Sequence, residues 1–193
     1  DSGAPFQKYS ALGRLRFEQA YARTWLEHNR RTAPECIVAC NVPLFALDQF
    51  RRAASRSSQP WLLWHQDLLR NAISEELTRR LPAPAAAGGS SLVRRIEAGI
   101  VRSASQVVAI VEEFRLAYRR WGLDTGHVSI IPNWAPLEEI VPRPRNNAWT
   151  AANLPAGPEL RLLYAGTLGR KHNPLLLSDL LRSARAAGLP ARL

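Results

Sequence analysis

Leu160–Pro174 reads LRLLYAGTLGRKHNP, and this stretch sets the expected fold class. Its apolar run through Leu162, Leu163 and Tyr164 has strand character, breaks at Gly166, and delivers Arg170 and Lys171 to the start of an apolar helix. A strand, a glycine-containing loop and a helix form the repeating unit of parallel α/β sheets. Backbone N–H groups at such a helix start have no intrahelical acceptor, and the helix dipole favours an anion there. Arg170 and Lys171 add positive charge at the same place, so the arrangement suits a diphosphate. It is not a P-loop, because the G-x4-G-K-[ST] spacing is missing and no hydroxyl follows Lys171; nor is it G-x-G-x-x-G. An ordinary turn with two solvated basic residues accounts for these residues equally well.

Outward from this stretch, helix and strand patterns alternate along the chain. Helical periodicity predicts helices over Leu12–Arg31, Leu44–Ser55, Leu68–Arg80, Leu92–Arg102, Glu112–Trp121 and Pro174–Ala187. Short apolar runs predict strands over Cys36–Cys40, Trp61–Trp64, Gln106–Val111, Val128–Ile131 and Leu160–Ala165. Pro82–Ser91 (PAPAAAGGSS) reads as a loop whose serines cap the helix after it. The segment 134–158 holds Pro136, Pro142, Pro144, Pro155 and Pro158 with little periodicity, and reads as an interdomain linker with one short helix near Asn147–Asn153. The fold class is therefore α/β, with a parallel sheet covered on both faces. Ligands of such sheets sit outside the carboxyl ends of the strands. Polar residues collect at each of those ends: Asn41, then His65-Gln66-Asp67, then Glu112-Glu113, then Pro132-Asn133, then Gly166 to Lys171.

Composition sets outer limits. The 193 residues suffice for one ordinary domain and part of a second. Hydrophobic residues make up 46% and charged residues 22%, as expected for a chain that buries a core. No apolar run is long enough to span a bilayer, and the N-terminus carries no secretory signal pattern. The formal net charge is +10, and only Lys8 and Lys171 are lysine. An arginine-rich surface suits phosphates and anionic headgroups. The arginines are spread along the chain, with no basic run interleaved with aromatics, which argues against nucleic acid as a partner. Cys36 and Cys40, on one predicted strand, are about 13 Å apart at strand rise, beyond disulfide reach. They are expected to be buried apolar thiols in a reducing compartment. No His/Cys ligand cluster and no D-x-D occurs, so no metal is implied.

Four motifs then follow in order: Ser105–Phe114 (SQVVAIVEEF), Arg120-Trp121-Gly122, Val128–Ala135 (VSIIPNWA) and Leu163–Lys171 (LYAGTLGRK), with Asn41–Leu44 and Trp64–Asp67 fitting the same pattern. Together they resemble the family 4 retaining glycosyltransferases of GT-B fold, especially those that build bacterial capsule, exopolysaccharide and O-antigen sugars. The similarity covers roughly Phe6 to Leu181. It implies Rossmann-like domains of GT-B type facing a cleft, with the N-domain incomplete and the C-domain only begun. Residues 1–133 would be the acceptor-side domain, 134–158 the linker, and 159–193 the start of the nucleotide-sugar domain. Asp1 and the lack of methionine are read as signs of a fragment, without the family's N-terminal glycine-rich loop and its later E-x7-E segment, and expected to be inactive alone.

The resemblance implies transfer of a sugar from a nucleotide-sugar, expected to be UDP-linked, to a bacterial glycan or lipid-linked oligosaccharide. The setting would be cytoplasmic, with peripheral contact at the inner face of the membrane, where each basic residue adds roughly 1 kcal/mol against anionic lipid. No cofactor is implied, the nucleotide-sugar being a substrate. A retaining transfer builds negative charge on the departing diphosphate, and cations and N–H donors lower that barrier. Lys171 matches the family's diphosphate lysine, and Gly166 lets the phosphate approach. Where the family often has arginine, this chain has Thr167, and Arg170 is the candidate to supply the charge instead. His65 matches a histidine placed near the donor sugar in related enzymes, and is the candidate catalytic residue. Its plainer alternative is packing against Trp64 and capping the next helix together with Asp67, which reads as an N-cap. Asn41, Asp67, Asn133 and Thr167 are candidate cleft-lining residues. Glu112 and Glu113 need no role beyond complementing a helix dipole. Trp121, Trp134 and Trp149 read as hinge and core packing. Two rivals remain: a UDP-sugar 2-epimerase on the same fold, and a non-catalytic relative that binds sugar-nucleotide or glycan.

Overall fold

The computed structural model describes residues 10–154, 157, 159–166 and 173–193. The chain divides into two compact units, 1–134 and 135–193. In the first, α1 (Ala11–Thr32), β1 (Ile37–Cys40), α2 (Leu44–Ser57), β2 (Trp61–His65), α3 (Leu69–Arg80), α4 (Ala83–Ser103), β3 (Gln106–Ala109), α5 (Glu112–Arg120) and β4 (Val128–Ile130) follow one another. The four strands form one parallel sheet in the order β1-β2-β3-β4. The protein is therefore α/β, as the alternation of patterns predicts.

One face of this sheet holds the core. Ile37, Ala39, Trp61, Leu63, Val107, Ala109 and Val128 are buried on it with Leu47 and Phe50 of α2, Val93, Ile100 and Val101 of α4, and Phe114 and Tyr118 of α5. Aromatic rings link three elements: Trp25 of α1 stacks on Phe50 at 4.2 Å, and Phe50 meets Trp61 edge-on at 5.6 Å. Burial of this kind contributes about 1.5–3 kcal/mol per large apolar side chain.

The other face differs from expectation. Val38 is 61% exposed, Cys40 and Ser129 are exposed, and Leu62, Trp64 and Val108 are half-buried. Connection handedness explains the asymmetry. Every connection steps the same way across the sheet, and a right-handed crossover that always steps one way puts its helices on one face. The same parity corrects the reading of the cysteines. Residues 36, 38 and 40 alternate away from Ile37 and Ala39, so both thiols are exposed rather than buried.

Two other expectations change. Pro82–Ser91 is not a loop, since α4 begins at Ala83 and runs through the glycines and serines. Pro84 is tolerated in the first turn, the alanines favour helix, and the segment packs on α3, where a Cβ at Gly89 would meet Leu77 at 2.8 Å. The predicted strand Leu160–Ala165 shortens to β5, following the short helix α6 (Ala148–Asn153). β5 is Leu160–Arg161 and pairs in parallel with β6 (Ala191–Arg192), beyond α7 (Pro174–Ala186). Strand geometry persists only as far as its hydrogen-bonding partner, and Leu163, past that point, is 86% exposed. Among the described residues, no helix is long and apolar enough to cross a membrane.

Candidate functional site

The carboxyl ends of the strands in the first unit lie along one edge of the sheet, because all four run parallel. Asn41 leaves β1 in a left-handed conformation, φ 52°, which asparagine accepts more readily than most residues. Its side chain is exposed, as is that of Asp67 beyond β2. Asn133, beyond β4, donates from Nδ2 to Gln66 Oε1 at 3.1 Å. Trp134, the next residue, stacks on Trp64 with ring centroids 5.7 Å apart and planes inclined by 19°. This corrects the expectation of core packing: Trp134 is 71% exposed, and Trp149 of the second unit 62%.

His65 belongs to the helix-covered side. It is 9% exposed, with its ring stacked parallel to Tyr118 and edge-on to Phe114. Nδ1 lies 2.6 Å from the Tyr118 hydroxyl, and Nε2 faces Glu97 Oε1 at 3.5 Å. Burial, reinforced by the Glu97 carboxylate, pushes the Tyr118 hydroxyl well above the ordinary phenol range, so it stays protonated. A protonated Tyr118 can donate to Nδ1, with Nε2 on the side of Glu97. A proton-transfer role for His65 would require releasing one of these partners.

Glu97 has a further task. It is 1% exposed, and its two oxygens accept from the Leu69 N–H at 2.8 Å and the Arg70 N–H at 3.2 Å. The start of α3 has no cap of its own, since the N-cap is Leu68. The expected cap, Asp67, is not used; a carboxylate from α4 replaces it and meets the positive end of the dipole. Glu18 of α1 does the same for α2, accepting from the Phe45 N–H at 2.8 Å while paired with Arg14 at 2.9 Å. Both glutamates stand where helical periodicity calls for an apolar residue, as Glu97 does among Val93, Ile96, Ile100 and Val101. That mismatch is the sequence signal that marks them. At the start of α5, Glu112 pairs with Arg115 at 2.7 Å, an exposed helix pair of the ordinary kind.

In the second unit, Gly166 follows the apolar run after β5, and a Cβ there would come within 3.2 Å of the Tyr164 hydroxyl. The contact is tight, and a shift of a few tenths of an ångström in the partly exposed Tyr164 side chain would relieve it. Thr167, Arg170 and Lys171, the other candidates on that loop, lie outside the described residues. In the sequence Gln66 stands at a strand end without an assigned role, and Trp64 enters only through the Trp64–Asp67 stretch and as a packing partner for His65. The structure brings both to Asn133 and Trp134. The resulting cluster offers neutral amides beside stacked indoles, a set that binds hydroxyl groups and C–H surfaces rather than moving protons. Compared with protein-family models, curated proteins and solved structures, the chain matches none.

Proposed function

We propose that this chain is part of a GT-B-type retaining glycosyltransferase that moves a sugar from a nucleotide-sugar, UDP-linked, to a glycan or lipid-linked glycan acceptor. The observation that carries the reading is the gathering of Asn41, Gln66, Asp67 and Asn133 at the carboxyl edge of one parallel sheet. Open α/β sheets bind their ligands at that edge, and uncharged or singly charged hydrogen-bonding side chains suit a polyhydroxylated substrate. The strand–glycine–helix order at Gly166 supports a donor diphosphate in the second unit, with Lys171 and Arg170 as its cations. The basic surface supports peripheral contact with anionic lipid.

His65 in this reading is a positioning residue, holding the end of β2 to α4 and α5 through Glu97 and Tyr118. A non-catalytic binder of sugar-nucleotide or glycan is the second reading, favoured by the same engaged imidazole.

The test is donor binding by calorimetry and turnover by the full-length protein, with UDP-, GDP- and dTDP-sugars and membrane-lipid extract, beside Lys171→Ala. Transfer of sugar from one donor, with donor affinity about tenfold weaker in the variant, is expected. Donor isomerisation without acceptor would replace the reading with the epimerase. Donor binding without turnover of any kind would leave the binder.

A further inference from the structure

We infer that the Trp64–Trp134 indole stack and the Gln66–Asn133 amide pair form a binding site for a neutral sugar ring. Trp134 is held by stacking on Trp64, yet 71% of it remains in water. An ordered, exposed indole presents an apolar plate whose electron-rich face attracts the polarised C–H groups of a pyranose. The amides supply the matching polar edge. Asn133 spends an Nδ2 proton on Gln66 Oε1, so the ends not used in that bond are Gln66 Nε2 and Asn133 Oδ1. One donates and one accepts, which is what two neighbouring hydroxyls require.

A purely apolar partner would cover both amides and leave their hydrogen bonds unmade. A sugar satisfies plate and amides together. All four side chains flank the carboxyl ends of β2 and β4, where open parallel sheets take their ligands.

The inference deepens the transferase reading and rests on it for the source of the ring, donor or acceptor; binding of a ring does not depend on it. The experiment follows tryptophan fluorescence of the full-length protein during titration with cellotetraose, maltotetraose and chitotetraose, and separately with UDP and UDP-glucose. We expect a saturable change with at least one oligosaccharide, weakened about tenfold or more in Trp134→Ala and in Asn133→Ala, with UDP affinity unchanged in both. Circular dichroism and Trp134→Phe, which keeps an aromatic plate, guard against a folding defect; Trp134→Phe should retain most of the binding. Tighter binding of UDP-glucose than of UDP, lost in Trp134→Ala, would support the site with the donor as the ring's source. Oligosaccharide binding without any UDP binding would keep this site while sinking the transferase reading. UDP binding with no response to any sugar would overturn the site and leave that reading standing. Full oligosaccharide affinity in Trp134→Ala would also overturn it, as would a sugar-insensitive chain that shifts from dimer to monomer in that variant.

Discussion

The two faces of the four-stranded sheet are made from alternate residues of the same strands, and they have opposite characters. On the helix side lie Trp61, Leu63, His65 and Val107, each 9% exposed or less. On the other side Val38 and Cys40 are exposed, while Leu62, Trp64 and Val108 are only half-buried. Neighbours in sequence thus have unrelated energetic roles. Composition does not separate the faces, since both are largely apolar. What separates them is the single direction in which the connections cross the sheet, which places the helices on one face.

The sharpest way to break this comparison is to truncate one residue on each face. Trp61→Ala removes a fully packed ring that meets Phe50 edge-on, and should cost about 3–5 kcal/mol in urea unfolding. Val38→Ala should stay within about 0.5 kcal/mol. Equal losses at the two sites would mean that the open face is covered in solution.

A smaller effect tests the borrowed caps. Glu97→Ala leaves the Leu69 and Arg70 N–H groups without an acceptor and should destabilise by about 1–3 kcal/mol. Asp67→Ala, the change that the sequence alone would single out, should cost less than about 0.5 kcal/mol. The reverse ranking would restore Asp67 as the cap.

Among the three core changes, Tyr118→Phe should have the smallest effect at neutral pH, about 1 kcal/mol for one hydrogen bond to His65. Its pH dependence is more telling. Below the ordinary phenol pKa of about 10, folded and unfolded chains both keep the Tyr118 proton, and pH has no effect through this group. Above that value the unfolded chain releases the proton while burial keeps it on the folded one, so stability falls as pH rises. Melting temperatures between pH 9 and pH 11 should therefore drop more steeply for the native chain than for Tyr118→Phe. Parallel slopes would mean that the hydroxyl is not buried as described.

Much of this molecule was legible along the chain. Short apolar runs marked the four strands of the first unit, helical periodicity marked α1, α2, α3, α5 and α7, and the polar strand ends marked the edge where the candidate site lies. Less legible was Ala83–Ser91, because Gly, Pro and Ser suggest a loop whenever nothing nearby holds them helical; packing against α3 supplies that support.

The amino-acid sequence by itself determined the class, α/β with parallel strands, because periodicity is a local property that each segment carries alone. Tertiary structure alone decided which partners meet. Glu97 reaches Leu69 across 28 positions, His65 reaches Tyr118 across 53, and Asn133 reaches Gln66 across 67. No window on the chain contains both members of such a pair. Whether a histidine faces the core or water, and whether a tryptophan packs or becomes a plate, depends on strand parity combined with the side on which the helices land. That side is fixed by crossover handedness acting on the assembled sheet, a property no single segment possesses.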